Sequence, residues 1–195
     1  MSVMKKILVI LGHPSEKSFN GTIFKHYIKQ ARLAGHQVRS LSLGKLSFDL
    51  ISRQNKTKPQ LLEPDLQKAQ KAILWAEHLV FIYPIWWGNL PALLKGFIDR
   101  VFISGFSHRY LGKRRYVKLL TGKSAELIVT MDAPGFFEKF LLCAAATRRV
   151  MQQAVLEFCG IRPVKITRFA QLRTKNAQQR VAILDQISRQ IKKLR

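Results

Sequence analysis

After Lys5 and Lys6, apolar residues run unbroken through Ile7, Leu8, Val9, Ile10 and Leu11 and stop at Gly12. A run without alternation suits a strand covered on both faces, as in a parallel sheet. Over residues 20–34 the spacing changes: Ile23, Phe24, Tyr27, Ile28 and Ala31 recur at helical intervals, and Gly35 stands at a capping position. Residues 37–43 alternate loosely through Val38, Leu41 and Leu43, which predicts a second strand. A helix is predicted from Pro64-Asp65 to about Glu77, then a strand over residues 78–83 that ends at Pro84. Pro91 opens a further helix, with Leu93, Leu94, Phe97, Ile98 and Val101 on one face. The remaining pattern predicts a strand over 126–131, a helix over 144–158 closing at Gly160, a strand over 164–169 and a helix over 175–194.

The order is therefore βαβαβαβαβα. Parallel neighbours need crossover connections, so this alternation predicts a parallel sheet with helices on both faces. Five strands suit an α/β fold of the flavodoxin-like kind, a three-layer αβα sandwich. No repeat, low-complexity tract or Gly/Ser linker interrupts the chain, so residues 1–195 read as a single domain. In such sheets ligands sit outside the carboxyl ends of the strands at the topological switch point. The loops after the first, third and fourth predicted strands are where chemistry is expected.

Composition narrows the classes. With 195 residues, 47% hydrophobic and 10% aromatic, the chain can bury a core, which excludes disordered, collagen-like and disulfide-scaffold proteins. Cys143 and Cys159 are too few for a disulfide framework and lack zinc-site spacing, which points to a reducing, cytoplasmic setting. His26, His36 and His78 have no metal-ligand spacing, so no metal site is expected. The apolar run at 7–11 is too short for a signal peptide, and residues 79–94, broken by Pro84, Gly88 and Pro91, are too short to span a bilayer. The formal net charge of +23 attracts anions, whether nucleic acid, acidic lipid head groups or phosphorylated small molecules. Basic residues without an acid among them fill positions 104–124, where they serve NADPH phosphates, another polyanion, or simply a solvated face.

Three loops carry the candidate chemistry. Residues 12–20, Gly-His-Pro-Ser-Glu-Lys-Ser-Phe-Asn, place hydroxyl and amide groups just before a helix N-terminus, where a phosphate is favoured. The alternative is a capped helix after a surface turn. Residues 83–91, Tyr-Pro-Ile-Trp-Trp-Gly-Asn-Leu-Pro, form a rigid aromatic loop that suits a flat flavin ring, against the alternative that both tryptophans pack in the core. Residues 130–135, Thr-Met-Asp-Ala-Pro-Gly, turn sharply at a third carboxyl end.

These segments, with Pro-Ala-Leu-Leu-Lys-Gly-Phe-Ile-Asp-Arg-Val-Phe at 91–102, Gly-Lys-Ser-Ala at 122–125 and Leu-Glu-Phe-Cys-Gly-Ile at 156–161, resemble the bacterial branch of the NAD(P)H:quinone oxidoreductases, the DT-diaphorase-like family. The resemblance covers nearly the whole chain. It implies a flavin whose phosphate region is held by His13, Ser18, Phe19 and Asn20. Its isoalloxazine edge would meet Pro84, Ile85, Trp86, Trp87 and Gly88, and Thr130, Met131 and Asp132 would complete the cradle. Phe19 between Ser18 and Asn20 is similar to members carrying FAD, with FMN as the alternative.

The implied activity is ping-pong: NAD(P)H, the transient hydride donor, reduces flavin N5, which then reduces a quinone or a nitro or azo acceptor in the same pocket. His108 and Tyr110 stand where animal members carry two pocket tyrosines and are the candidate catalytic residues. Phe136-Phe137 replaces a bulkier aromatic pair of bacterial members. The family implies a homodimer with the site completed across subunits, and no nucleic acid is expected as a partner. Two rivals remain: a non-catalytic accessory subunit of a membrane potassium-efflux system, and a basic nucleic-acid-binding module.

Overall fold

The computed structural model describes residues 4–53, 60–112, 115–132 and 146–194. Its centre is a five-stranded parallel sheet in the order β2-β1-β3-β6-β7, built from β1 (Lys6–Leu11), β2 (Gln37–Ser42), β3 (His78–Pro84), β6 (Ser124–Thr130) and β7 (Val164–Phe169). This is the doubly wound order whose switch point lies between β1 and β3. The helices are α1 (Phe19–Leu33), α2 (Pro64–Trp75), α3 (Ala92–Val101), α4 (Ala146–Glu157) and α5 (Ala177–Ile191).

The unbroken apolar runs become the central strands because both faces are covered. Ile7, Val9, Leu11, Val80, Ile82 and Ile128 join α1 and α5 in one buried layer. Leu8, Ile10, Leu79, Phe81, Leu127 and Val129 join α2, α3 and α4 in the other. Each fully buried Leu, Ile or Phe contributes about 1.5–3 kcal/mol, so these two layers dominate the fold's stability. The fold is thus the flavodoxin-like αβα sandwich expected from the alternation.

Caps set the helix limits. Ser18 caps α1 by accepting from the Gly21 N–H, and Asn176 with Gln179 forms a capping box at α5. Pro91 sits one place outside α3 as its N-cap rather than inside the helix. On α3, the fully buried Arg100 donates to both Glu63 carboxylate oxygens at 2.8 and 3.1 Å, and to the carbonyls of Asp49 and Leu61. That fork straps the loop preceding α2 across the helix; losing Glu63 would strand the buried Arg100 charge, at about 3–5 kcal/mol.

Two features differ from the predicted pattern. A two-stranded antiparallel hairpin, β4 (His108–Tyr110) and β5 (Tyr116–Lys118), interrupts the strict alternation between α3 and β6. Its strands are three residues each, too short for a period-2 signal. The α4 segment is wound in the wider π form, which nothing in its sequence signals. Its predicted start at Ala144, together with Phe136-Phe137 and Cys143, lies outside the described residues.

Candidate functional site

At the carboxyl edge of the sheet, the loops after β1, β3, β6 and β7 enclose a cleft of about 780 Å³. It is lined by His13, Asn20, Pro84, Ile85, Trp86, Trp87, Gly88, Thr130, Met131 and Asp132, joined by Leu172 and Arg173. Of the predicted cofactor residues, Ser18 and Phe19 stand outside this lining. The Ser18 hydroxyl accepts from Gly21 N–H and donates to the Ser15 carbonyl at 2.8 Å, so it is occupied in capping α1. Phe19 packs against the α1/α5 layer beneath the Arg180 guanidinium, 5.3 Å from its ring centre.

Strand ladders bring the lining residues together. Gly12 extends the β1–β3 ladder by donating to Ile82 O at 2.8 Å, and a Cβ there would press on Leu94 and Tyr83 at 3.0 Å. His13 follows with its Nδ1 2.9 Å from both the N–H and the carbonyl oxygen of Ser15, so this nitrogen accepts from the first or donates to the second according to the ring tautomer. Burial lowers its pKa, partly offset by the hydrogen bond to the Ser15 backbone. The His13 ring meets Trp86 edge-on at 5.4 Å. Asn20, buried in the first turn of α1, donates from Nδ2 to Thr130 Oγ1 at 2.9 Å, which ties the loops after β1 and β6 together.

The aromatic loop after β3 folds as a tight turn. Trp86 and Asn89 exchange both backbone hydrogen bonds, at 3.0 and 2.9 Å, and the central residues Trp87 and Gly88 have φ of 51° and 72°. Two successive positive φ values define a type I′ turn, natural for Gly88 and strained by roughly 1–3 kcal/mol for Trp87. Trp86 is 45% exposed and Trp87 fully exposed, so the structure removes the alternative that both tryptophans pack in the core. The N–H groups of Trp87 and Gly88 are not used by the turn's own pair of bonds. Opposite, Asp132 Oδ1 accepts from Arg173 N–H at 2.8 Å, and Leu172 N–H donates to Met131 O.

Leu172 and Arg173 were missed because the loop after the last strand carries no composition signal. The carboxyl-edge rule applied to β7 as well would have found them.

His108 and Tyr110 lie elsewhere in the same chain. The His108 ring contacts Tyr110 at 5.3 Å and Phe158 at 5.0 Å, and Tyr116 stacks on Phe158 at 4.5 Å. His108 Nδ1 lies 3.0 Å from the Ser107 hydroxyl, and burial lowers its pKa. His108 lines a separate cavity of about 450 Å³ with Phe102, Ile103, Phe158 and Cys159, which shares no lining residue with the cleft among the described residues. Among those residues, no group of three or more His, Cys, Asp or Glu is placed to hold a metal, and no helix is long and apolar enough to cross a membrane.

The fold agrees with the comparisons. The model of the flavodoxin-like fold family matches residues 5–194, and the chain belongs to that family. A solved structure of Smu.1420 from Streptococcus mutans UA159 is 32% identical, with a TM-score of 0.81, covering 96% of this chain and 98% of that one. A mouse protein named ribosyldihydronicotinamide dehydrogenase [quinone] is 27% identical over 81% of this chain and 78% of its own length. The traD protein of Penicillium crustosum, named as ribosyldihydronicotinamide dehydrogenase-like, is 32% identical over 65% of this chain; the match spans 57% of that protein's length.

Proposed function

We propose that this chain is a flavin-dependent NAD(P)H:quinone oxidoreductase, a single flavodoxin-like domain that works as a cytoplasmic homodimer by a ping-pong cycle. The names of the mouse and Penicillium relatives support the reaction class. The observation that carries the reading is the Trp86–Asn89 turn. It holds two indoles out of the core, in a strained conformation, on the rim of a cleft at the switch point.

The residues present fit a flavin. Pro84, Ile85 and Gly88 offer a flat wall without polar side chains, and the Trp87 and Gly88 N–H groups can bond a pyrimidine edge. Asn20 and Thr130 fix the floor, and the N-terminus of α1 opens beside them toward a phosphate. FAD is the preferred form and FMN the alternative; acid extraction and chromatography of the bound flavin decides between them. When bound, the flavin accepts hydride from NAD(P)H and passes it to a quinone, nitro or azo acceptor.

The chain's own work is positioning and charge. Trp86 and Trp87 would stack the two substrates in turn, His13 would offer a ring nitrogen to the cleft, and the backbone N–H groups of Trp87 and Gly88 would hold the pyrimidine edge of a bound flavin and favour negative charge there. His108 and Tyr110 would serve as proton donors to the acceptor by entering the cleft of a second copy, since within one chain neither lines the cleft, His108 lining another cavity and Tyr110 packing on the His108 ring.

The test is the visible absorbance of flavin-loaded protein under anaerobic conditions. Bleaching on NADPH and recovery on a simple benzoquinone is expected; flavin that binds and never bleaches overturns the reading.

A further inference from the structure

We infer that the outer face of α1 is a docking surface for anionic lipid bilayers. Lys25, Ile28, Lys29, Arg32 and Leu33 lie at the spacing of a single helix face and line a shallow depression of about 480 Å³. Leu33 is 72% exposed, a large apolar side chain held out among three exposed cations. Among the described residues, none of Lys25, Lys29 and Arg32 pairs with a carboxylate.

Topology enlarges the patch. Helices α1 and α5 both follow strands of a parallel sheet and run back against the same face, so their last turns lie at the same edge. The exposed Arg189, Lys192 and Lys193 therefore extend the basic surface begun by α1. Cations in a last turn complement the helix dipole, which accounts for Arg32 and Arg189 without a partner. It does not account for Lys25 and Lys29 in the middle of α1, or for Leu33 among them.

A row of cations around an exposed leucine, with Ile28 half-buried at its base, is the chemistry of an interfacial helix on a negatively charged leaflet. Nucleic acid would reward the charges and leave Leu33 unused. On the opposite helical layer, Lys68 pairs with Asp65 and Lys95 with Asp99, so the two faces of one very basic molecule differ in kind.

The test is co-flotation of the full chain with vesicles, read without any turnover assay and so independent of the reductase reading. Binding is expected to vesicles of about one third phosphatidylglycerol in phosphatidylcholine, and not to pure phosphatidylcholine. Replacing Lys25, Lys29 and Arg32 together by Gln should weaken binding about a hundredfold, at about fivefold per charge near a membrane surface. Leu33→Ser, which leaves the charge intact, should weaken it about tenfold. The charge-matched control, Lys68, Lys71 and Lys95 to Gln, should leave it unchanged. All three variants should keep the wild-type circular dichroism spectrum. Equal loss in the control would reduce the effect to net charge alone, and binding to duplex DNA with none to the vesicles would assign the face to nucleic acid; either result overturns the proposal.

Discussion

The cleft and the hairpin carry the two sets of residues expected to share one site, and they are built in different ways. Cleft residues hang from the ends of strands, and ladder bonds such as Ile85 N–H to Thr130 O at 2.8 Å and Met131 N–H to Phe169 O at 2.9 Å fix their mutual positions. The hairpin is anchored by ring contacts of His108 and Tyr116 with Phe158, on a separate element. Sheet topology dictates the meeting of the first set and is silent about the second. Under the proposed function, His108 and Tyr110 act in a cleft that a second copy supplies.

The comparison breaks most severely where backbone packs on backbone. At Gly21 a Cβ would stand 2.2 Å from the Glu16 carbonyl oxygen, a contact no side-chain movement relieves. Gly21→Ala should cost about 3 kcal/mol or more and release the loop after β1, visible as a lower denaturation midpoint. A near-wild-type midpoint would mean that this loop is held less tightly than the cleft requires.

A baseline for pure stability lies at the opposite edge of the sheet. There His78 is buried, its Nδ1 on Ser124 Oγ at 2.8 Å and its Nε2 without a partner among the described residues. Burial first, then the charges of Lys5, His36 and Lys165, lower its pKa from 6.5 to about 4. The unfolded chain therefore takes up a proton as pH falls through 6.5, and the folded chain only near 4. Stability is full above that window and declines across it, by about 3 kcal/mol from this group. Burial lowers the pKa of His13, His26, His36 and His108 too, which adds in the same direction. His78→Gln should flatten the acid limb of stability between pH 6.5 and 4 while cleft and hairpin stay unchanged; an unaltered slope would assign it to the other histidines.

The same contrast explains what the sequence could show. Strands β1 and β3 were legible because continuous apolar runs admit few other readings, and β7 falls on the predicted residues 164–169. Pro84 to Gly88 and Thr130 to Asp132 could be placed at one edge because parallel strands align their carboxyl ends. Ser18 was ambiguous in principle: one hydroxyl suits a cap and an anion alike, and the fold uses it as the cap. Phe19, expected beside the cofactor only from the family resemblance, packs into the α1/α5 layer. The hairpin's location depended on a stacking partner some forty residues away in sequence, Phe158, which no local pattern encodes.

Within the cleft, Trp87 offers the sharper intermediate test. Its side chain is fully exposed, so Trp87→Ala should leave the denaturation midpoint in place while lowering quinone kcat/KM about tenfold or more. Trp87→Gly should raise stability by about 1 kcal/mol, since φ of 51° no longer strains the turn, with the same kinetic loss. A kinetic constant unmoved by both variants would remove the exposed indole from the site.

The smallest effect discriminates best between the two regions. Tyr110→Phe removes one hydroxyl from a 60% exposed ring and should not change stability. If a second copy's hairpin enters the cleft, this change slows the acceptor half-reaction about threefold, the worth of one modest hydrogen bond, and leaves reduction by NADPH untouched. The difference must also depend on concentration. Diluted until sedimentation reports single chains, wild type and variant should turn over at the same reduced rate, because neither then has a hairpin in its cleft. A threefold defect that persists in the monomer would mean that Tyr110 reaches the cleft of its own chain. Equal rates at every concentration would confine the hairpin to holding the fold.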